Sequence, residues 1–101
     1  MKVFSLKEML AYPYEERDKN VFFKSPEFKT RIIALAPGEK LPDCEMKSHV
    51  IFYIISGHAE YTINGESGEL TEGEYLISEP GDYSISTRTG VKILGIQIHK
   101  K

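Results

Sequence analysis

From Val21 onward, stretches of alternating apolar and polar residues and short apolar runs follow one another and never settle into the three-to-four-residue rhythm of a helix. The pattern predicts strands over residues 21–24, 28–36, 50–55, 59–63, 68–70, 74–77, 83–87 and 91–99, all rich in Ile, Val, Phe, Tyr and Thr. Turn formers punctuate them at short intervals: Pro37-Gly38, Ser56-Gly57, Asn64-Gly65, Gly73, Pro80-Gly81 and Thr89-Gly90. Many short strands at this spacing favour a closed barrel or a sandwich over a sheet with helical crossovers. Asn64-Gly65 is a strong hairpin signal, because both residues tolerate positive φ.

The 50–55 run carries bulky apolar residues on both faces. Val50, Phe52 and Ile54 share one side, and Ile51, Tyr53 and Ile55 the other. One face can fill a barrel, while the other needs cover from a second sheet or a partner subunit. A homodimer is therefore expected. Before Val21 the chain is more polar. Ser5-Leu6-Lys7-Glu8 has capping-box spacing, which predicts a helical turn through about Leu10, or else a frayed arm that only carries the pattern. Pro13 and the charged residues 15–19 mark a surface turn. The expected organisation is an N-terminal arm over 1–19 and a β-barrel domain over 20–101.

Composition narrows the function classes. A chain of 101 residues, 41% apolar and 28% charged, fits one ordinary globular core. Thirteen basic against fifteen acidic residues leave a net charge of −2 with no basic stripe, so no nucleic-acid partner is expected. The longest apolar run, 50–55, falls far short of the roughly 20 residues that cross a bilayer as a helix, so no membrane partner is expected either. The single cysteine, Cys44, cannot form an internal disulfide, and a cytoplasmic location is the expectation.

Pro37-Gly38, a short loop, an apolar strand ending at Gly57 and a return strand to Asn64-Gly65 resemble the first motif of a cupin. Residues 73–81, where a glycine opens a strand that ends in Pro80-Gly81, resemble the second. The resemblance covers roughly 28–98 and implies an all-β double-stranded β-helix, or jelly-roll, barrel with a short N-terminal helical turn. In metal-binding members the first motif supplies an H-x-H pair and a glutamate, and the second supplies another histidine. Those positions fall here on Cys44 and Met46 (Asp43 and Glu45 in the alternative spacing), on Val50 and on Ser84. The usual ligands are absent.

A catalytic metal needs about three converging, deprotonated ligands. Cys44 and Met46 are soft donors suited to copper(I), yet both residue types are commonly apolar filler. The expected lumen is therefore a ligand pocket lined by Cys44, Met46, Val50, Phe52, Ile54, Ser84 and Ser86, with Arg88 able to reach an anionic ligand from its mouth. Binding or sensing of a small organic molecule is the expected function, with no cofactor. The alternative is a metal-dependent dioxygenase or isomerase with a transition-metal ion at Cys44 and His49. Whether any reaction is catalysed is left open. Gly65-Glu66-Ser67-Gly68 lacks nucleophile-elbow spacing and reads as a loop. The carboxylates of Asp43, Glu45, Glu60, Glu79 and Asp82 read as solvated edge or turn charges.

Overall fold

A computed structural model describes residues 1–99; the last two residues of the expected 20–101 unit lie outside the described residues. Eight strands are found among them. They are β1 (Val21–Lys24), β2 (Phe28–Leu35), β3 (Cys44–Met46), β4 (His49–Ile63), β5 (Glu66–Thr71), β6 (Tyr75–Ser78), β7 (Gly81–Ser86) and β8 (Val91–Ile98). All pairings are antiparallel. One sheet runs β1-β2-β8-β4-β6, and the other runs β3-β7-β4-β5. The result is a curled double sheet of the jelly-roll kind.

The long strand β4 belongs to both sheets. Its first half pairs with β8 and β6, its second half with β5 and β7. The sequence pattern predicts two strands here, separated at Ser56-Gly57, because a Ser-Gly pair ordinarily marks a turn. Instead Gly57, at φ 88°, is the bend that carries one continuous strand from sheet to sheet. A side chain there would run into the backbone of Gly90 and Val91. A register shift between Ile54 and Ser56 marks a bulge beside the bend. Ile55, at the bulge, is buried as Ile54 is, but it stands outside the core cluster that Ile54 joins.

The core lies between the sheets: Leu35, Val50, Phe52, Ile54, Ala59, Ile85, Val91 and Ile93. Each fully buried Ile or Phe contributes about 1.5–3 kcal/mol of burial free energy. Asn64-Gly65 forms the expected hairpin turn between β4 and β5, with φ of 49° and 85°. Thr87, almost fully buried, ties β4 to the β7–β8 turn. Its hydroxyl donates to the His58 carbonyl at 2.6 Å and accepts from Gly90 N–H at 2.9 Å.

The N-terminal helical turn is a 3-10 helix over Tyr14–Asn20, not at Ser5. Residues 6–8 make only a turn, closed by Met9 N–H on the Leu6 carbonyl at 3.3 Å. Asn20 fixes this segment: its side chain accepts from Tyr12 N–H at 2.7 Å and donates to the Tyr12 carbonyl at 3.1 Å. The strand β3 escapes the hydrophobic pattern because three residues are too few to show a period.

Candidate functional site

Strand parity decides which side chains meet inside the barrel. The register aligns Arg31 with Gly95 and Gly95 with Phe52, then Ile33 with Ile93 and Ile93 with Ile54. One row up, Lys29 faces Gln97 and Gln97 faces Val50. The Ile54 and Ile93 side chains are fully buried and form a packed floor. Above that floor lies a cavity of about 420 Å³. Its walls include Ile33, Leu35, Val50, Phe52 and Gly95 from one sheet and Cys44, Met46 and Tyr83 from the other. The segment from Tyr12 to Asn20 closes one side of the mouth, where Glu15, Glu39, Lys40 and Gln97 supply polar groups. The size is that of a small-molecule site, and the apolar wall is matched by a polar side that also carries Arg17, Asn20 and Arg31.

Four of the eight expected pocket residues, Cys44, Met46, Val50 and Phe52, line this cavity. Ile54 lies beneath it in the core. Ser84, Ser86 and Arg88 are not brought to it. On β7 the inward positions belong to Tyr83 and Ile85; the Tyr83 ring lies 5.4 Å from the Phe52 ring and Ile85 is buried. The alternation then turns Ser84 and Ser86 to the outer face, since a shift of one residue reverses every side chain of a strand. Counting forward from Pro80-Gly81 misses that register by one.

On that outer face Arg88 is held by acidic neighbours. Its Nε donates to Glu60 Oε1 at 2.6 Å, and a second nitrogen lies 3.7 Å from Glu69 Oε1. Ser86 Oγ donates to the other Glu60 oxygen at 3.4 Å. His58, Glu60 and Glu69 are the group of three potential metal ligands found among the described residues, with ligand atoms within 4.8 Å of one another. The group lies outside the lumen, and Arg88 already pairs with both of its carboxylates.

Among the described residues, those at the positions where the resemblance places metal ligands are not the usual donors. The positions that would carry imidazoles and a carboxylate hold a thiol at Cys44, a thioether at Met46 and a hydrocarbon at Val50, and the inward residue of β7 is a phenol. Cys44 is exposed at the rim. His49, the exposed first residue of β4, has the opposite parity to Val50.

The pattern-based reading overlooks Arg31. Its aliphatic stem crosses Gly95: a Cβ on that glycine would sit 3.4 Å from Arg31 Cγ and 3.6 Å from Phe52 Cε1. Two signals mark it in the sequence. A charge interrupts the apolar inward row Arg31, Ile33, Leu35, and a lone glycine interrupts the apolar run of β8. Beside it, burial holds the Lys29 ammonium below the usual lysine range, and the like charges of Arg31 and Lys24 push the same way against a weaker opposing pull from Asp18.

No protein-family model matches the sequence, and no curated protein matches it. Solved structures do. A conserved protein of unknown function from Streptococcus pyogenes superposes with a TM-score of 0.74 over 80% of this chain and 72% of its own, at 16% identity. A cupin superfamily protein of Desulfitobacterium hafniense gives a TM-score of 0.74 at 18% identity, covering 79% of this chain and 74% of its own. These two establish the fold. A cupin protein from Bacteroides fragilis is 30% identical, covers 73% of this chain and 67% of its own, and superposes with a TM-score of 0.68. The chain belongs to the cupin superfamily. Within this cupin, Gly57 bends β4 from one sheet to the other and Asn64-Gly65 closes the β4–β5 hairpin. Among the described residues, no helix is long and apolar enough to cross a membrane.

Proposed function

We propose that this cupin binds a small organic ligand in its lumen, without the usual catalytic metal, as a binding or sensing protein. The observation that carries the reading is the cavity of about 420 Å³ whose wall holds Cys44, Met46 and Val50 where a metal-binding cupin holds its ligands. Apolar walls with a few polar groups at the mouth suit an organic molecule with a polar end.

The same protein is proposed to be a homodimer. Tyr75 and Ile77 on β6 are about 60% exposed, and they pair with Tyr53 and Ile51 to make a continuous apolar strip on the outer face. A second subunit is a natural cover for such a strip.

Elemental analysis of protein purified without a histidine tag tests the metal-free reading. The expected result is iron, nickel, copper and zinc all well below one ion per chain after incubation with each. Stoichiometric metal that disappears in Cys44→Ala would instead favour an atypical Cys44 and His49 centre and a metal-dependent dioxygenase or isomerase.

A further inference from the structure

Arg31 is a cation placed on the inward face of the barrel, between the apolar row of Ile33 and Ile93 and the polar row of Lys29 and Gln97. Its stem lies against Gly95, with Ile33 and Phe52 alongside. It lines the cavity, is half-buried, and forms no hydrogen bond or ion pair among the described residues. The nearby carboxylates leave it unpaired. Glu39 at the cavity rim instead accepts the Ala36 N–H at 2.6 Å, and Glu15 makes no ion pair with it. Lys29, two residues along the same face, adds a second positive charge in place of a counterion. A partly desolvated cation without a partner is costly, and a bound anion would remove the cost.

We infer that Arg31 is the anion-binding group of the lumen and that the ligand is a small organic carboxylate with an apolar body. This rests on the lumen being a ligand site. The planar guanidinium offers two parallel N–H donors that match the two oxygens of a carboxylate. Val50, Phe52 and Met46 offer the body an apolar wall. The charged side chains of the lining, Arg17, Arg31 and Lys40 against Glu15 and Glu39, leave a single net positive charge, which suits a carboxylate better than a phosphate dianion.

Benzoate and benzamide share a shape and differ in charge, so they serve as probes. Each is titrated into the ¹⁵N-labelled full chain while the amide resonances of Gly95, Phe52 and Met46 are followed. The expected result is that benzoate binds about tenfold or more tightly than benzamide, as a charge-assisted bond should provide. In Arg31→Met the benzoate preference should vanish while benzamide binding persists, and Arg31→Gln should behave the same way. The dispersion of the same spectra shows that each variant is folded. Equal binding of the two probes by the wild type, or unchanged benzoate affinity in both variants, would overturn the carboxylate assignment and leave the lumen site standing. If neither probe moved those resonances, the lumen reading itself would fall, and the assignment with it.

Discussion

Replacing Gly57 by alanine should be among the most damaging single-methyl changes in this protein. Two costs combine. At φ 88° an L-residue is strained by about 1–2 kcal/mol. The added Cβ would also overlap the Gly90 carbonyl and lie 2.9 Å from Val91 Cα, and these are backbone atoms that cannot rotate away. Overpacking of that kind costs about 1–3 kcal/mol. The sum is about 2–5 kcal/mol, a large share of the roughly 5–15 kcal/mol that holds a domain of this size together. Gly73 provides the control. Its φ of 86° is nearly the same, but nothing lies within 4 Å of a Cβ placed there. Gly73→Ala should therefore show the dihedral cost alone, about 1–2 kcal/mol. Urea denaturation of both variants at one temperature measures the difference, as a shift in midpoint at constant slope. Equal losses would refute the close approach of β4 to the β7–β8 turn.

Arg88→Met should cost less than about 1 kcal/mol in thermal or urea unfolding, because its ion pairs are exposed, and should leave lumen binding of organic probes unchanged. A large loss of probe binding would mean that β7 has the opposite parity. Lys29→Gln should raise the urea midpoint at neutral pH, since burial and two like charges depress the folded-state pKa below the usual 10.5. The penalty is complete below that lowered pKa. It fades as pH rises towards 10.5, where the unfolded chain holds the proton longer, so the gap between variant and wild type should narrow in alkaline buffer. Ile77→Glu places a charge on an exposed residue of the outer strip. Sedimentation should show a dimeric wild type and a monomeric variant with an unchanged circular dichroism spectrum; a variant that stayed dimeric would move the interface elsewhere.

The fold was legible because its signals are local. Period-two alternation, Asn64-Gly65 and the apolar run ending at Gly57 each depend on a few adjacent residues, and together they specify strands and turns. The break at Gly57 misleads because a glycine before a turn and a glycine inside a bent strand look alike in sequence. Only the distant Gly90-Val91 backbone distinguishes them. The site was legible in halves. Cys44, Met46, Val50 and Phe52 follow from motif spacing and parity along β3 and β4. Arg31, Gly95, Tyr83 and the Tyr12–Asn20 cover come from elements far apart in the chain, and they meet only through sheet register. Ser84 shows how fragile such counting is. A single residue of register separates it from Tyr83, and with it the lumen from the solvent.

The most direct test of an organic-ligand lumen follows side chains on both faces of one sheet at once. Protein carrying ¹³C in its Ile, Val and Met methyl groups is titrated with benzyl alcohol. The lumen account predicts saturable shifts at Val50, Met46 and Ile33, which wall the cavity, with Ile51 and Ile77 on the outer face unmoved. Shifts confined to the outer face, or none that saturate at Val50, Met46 and Ile33, would contradict it.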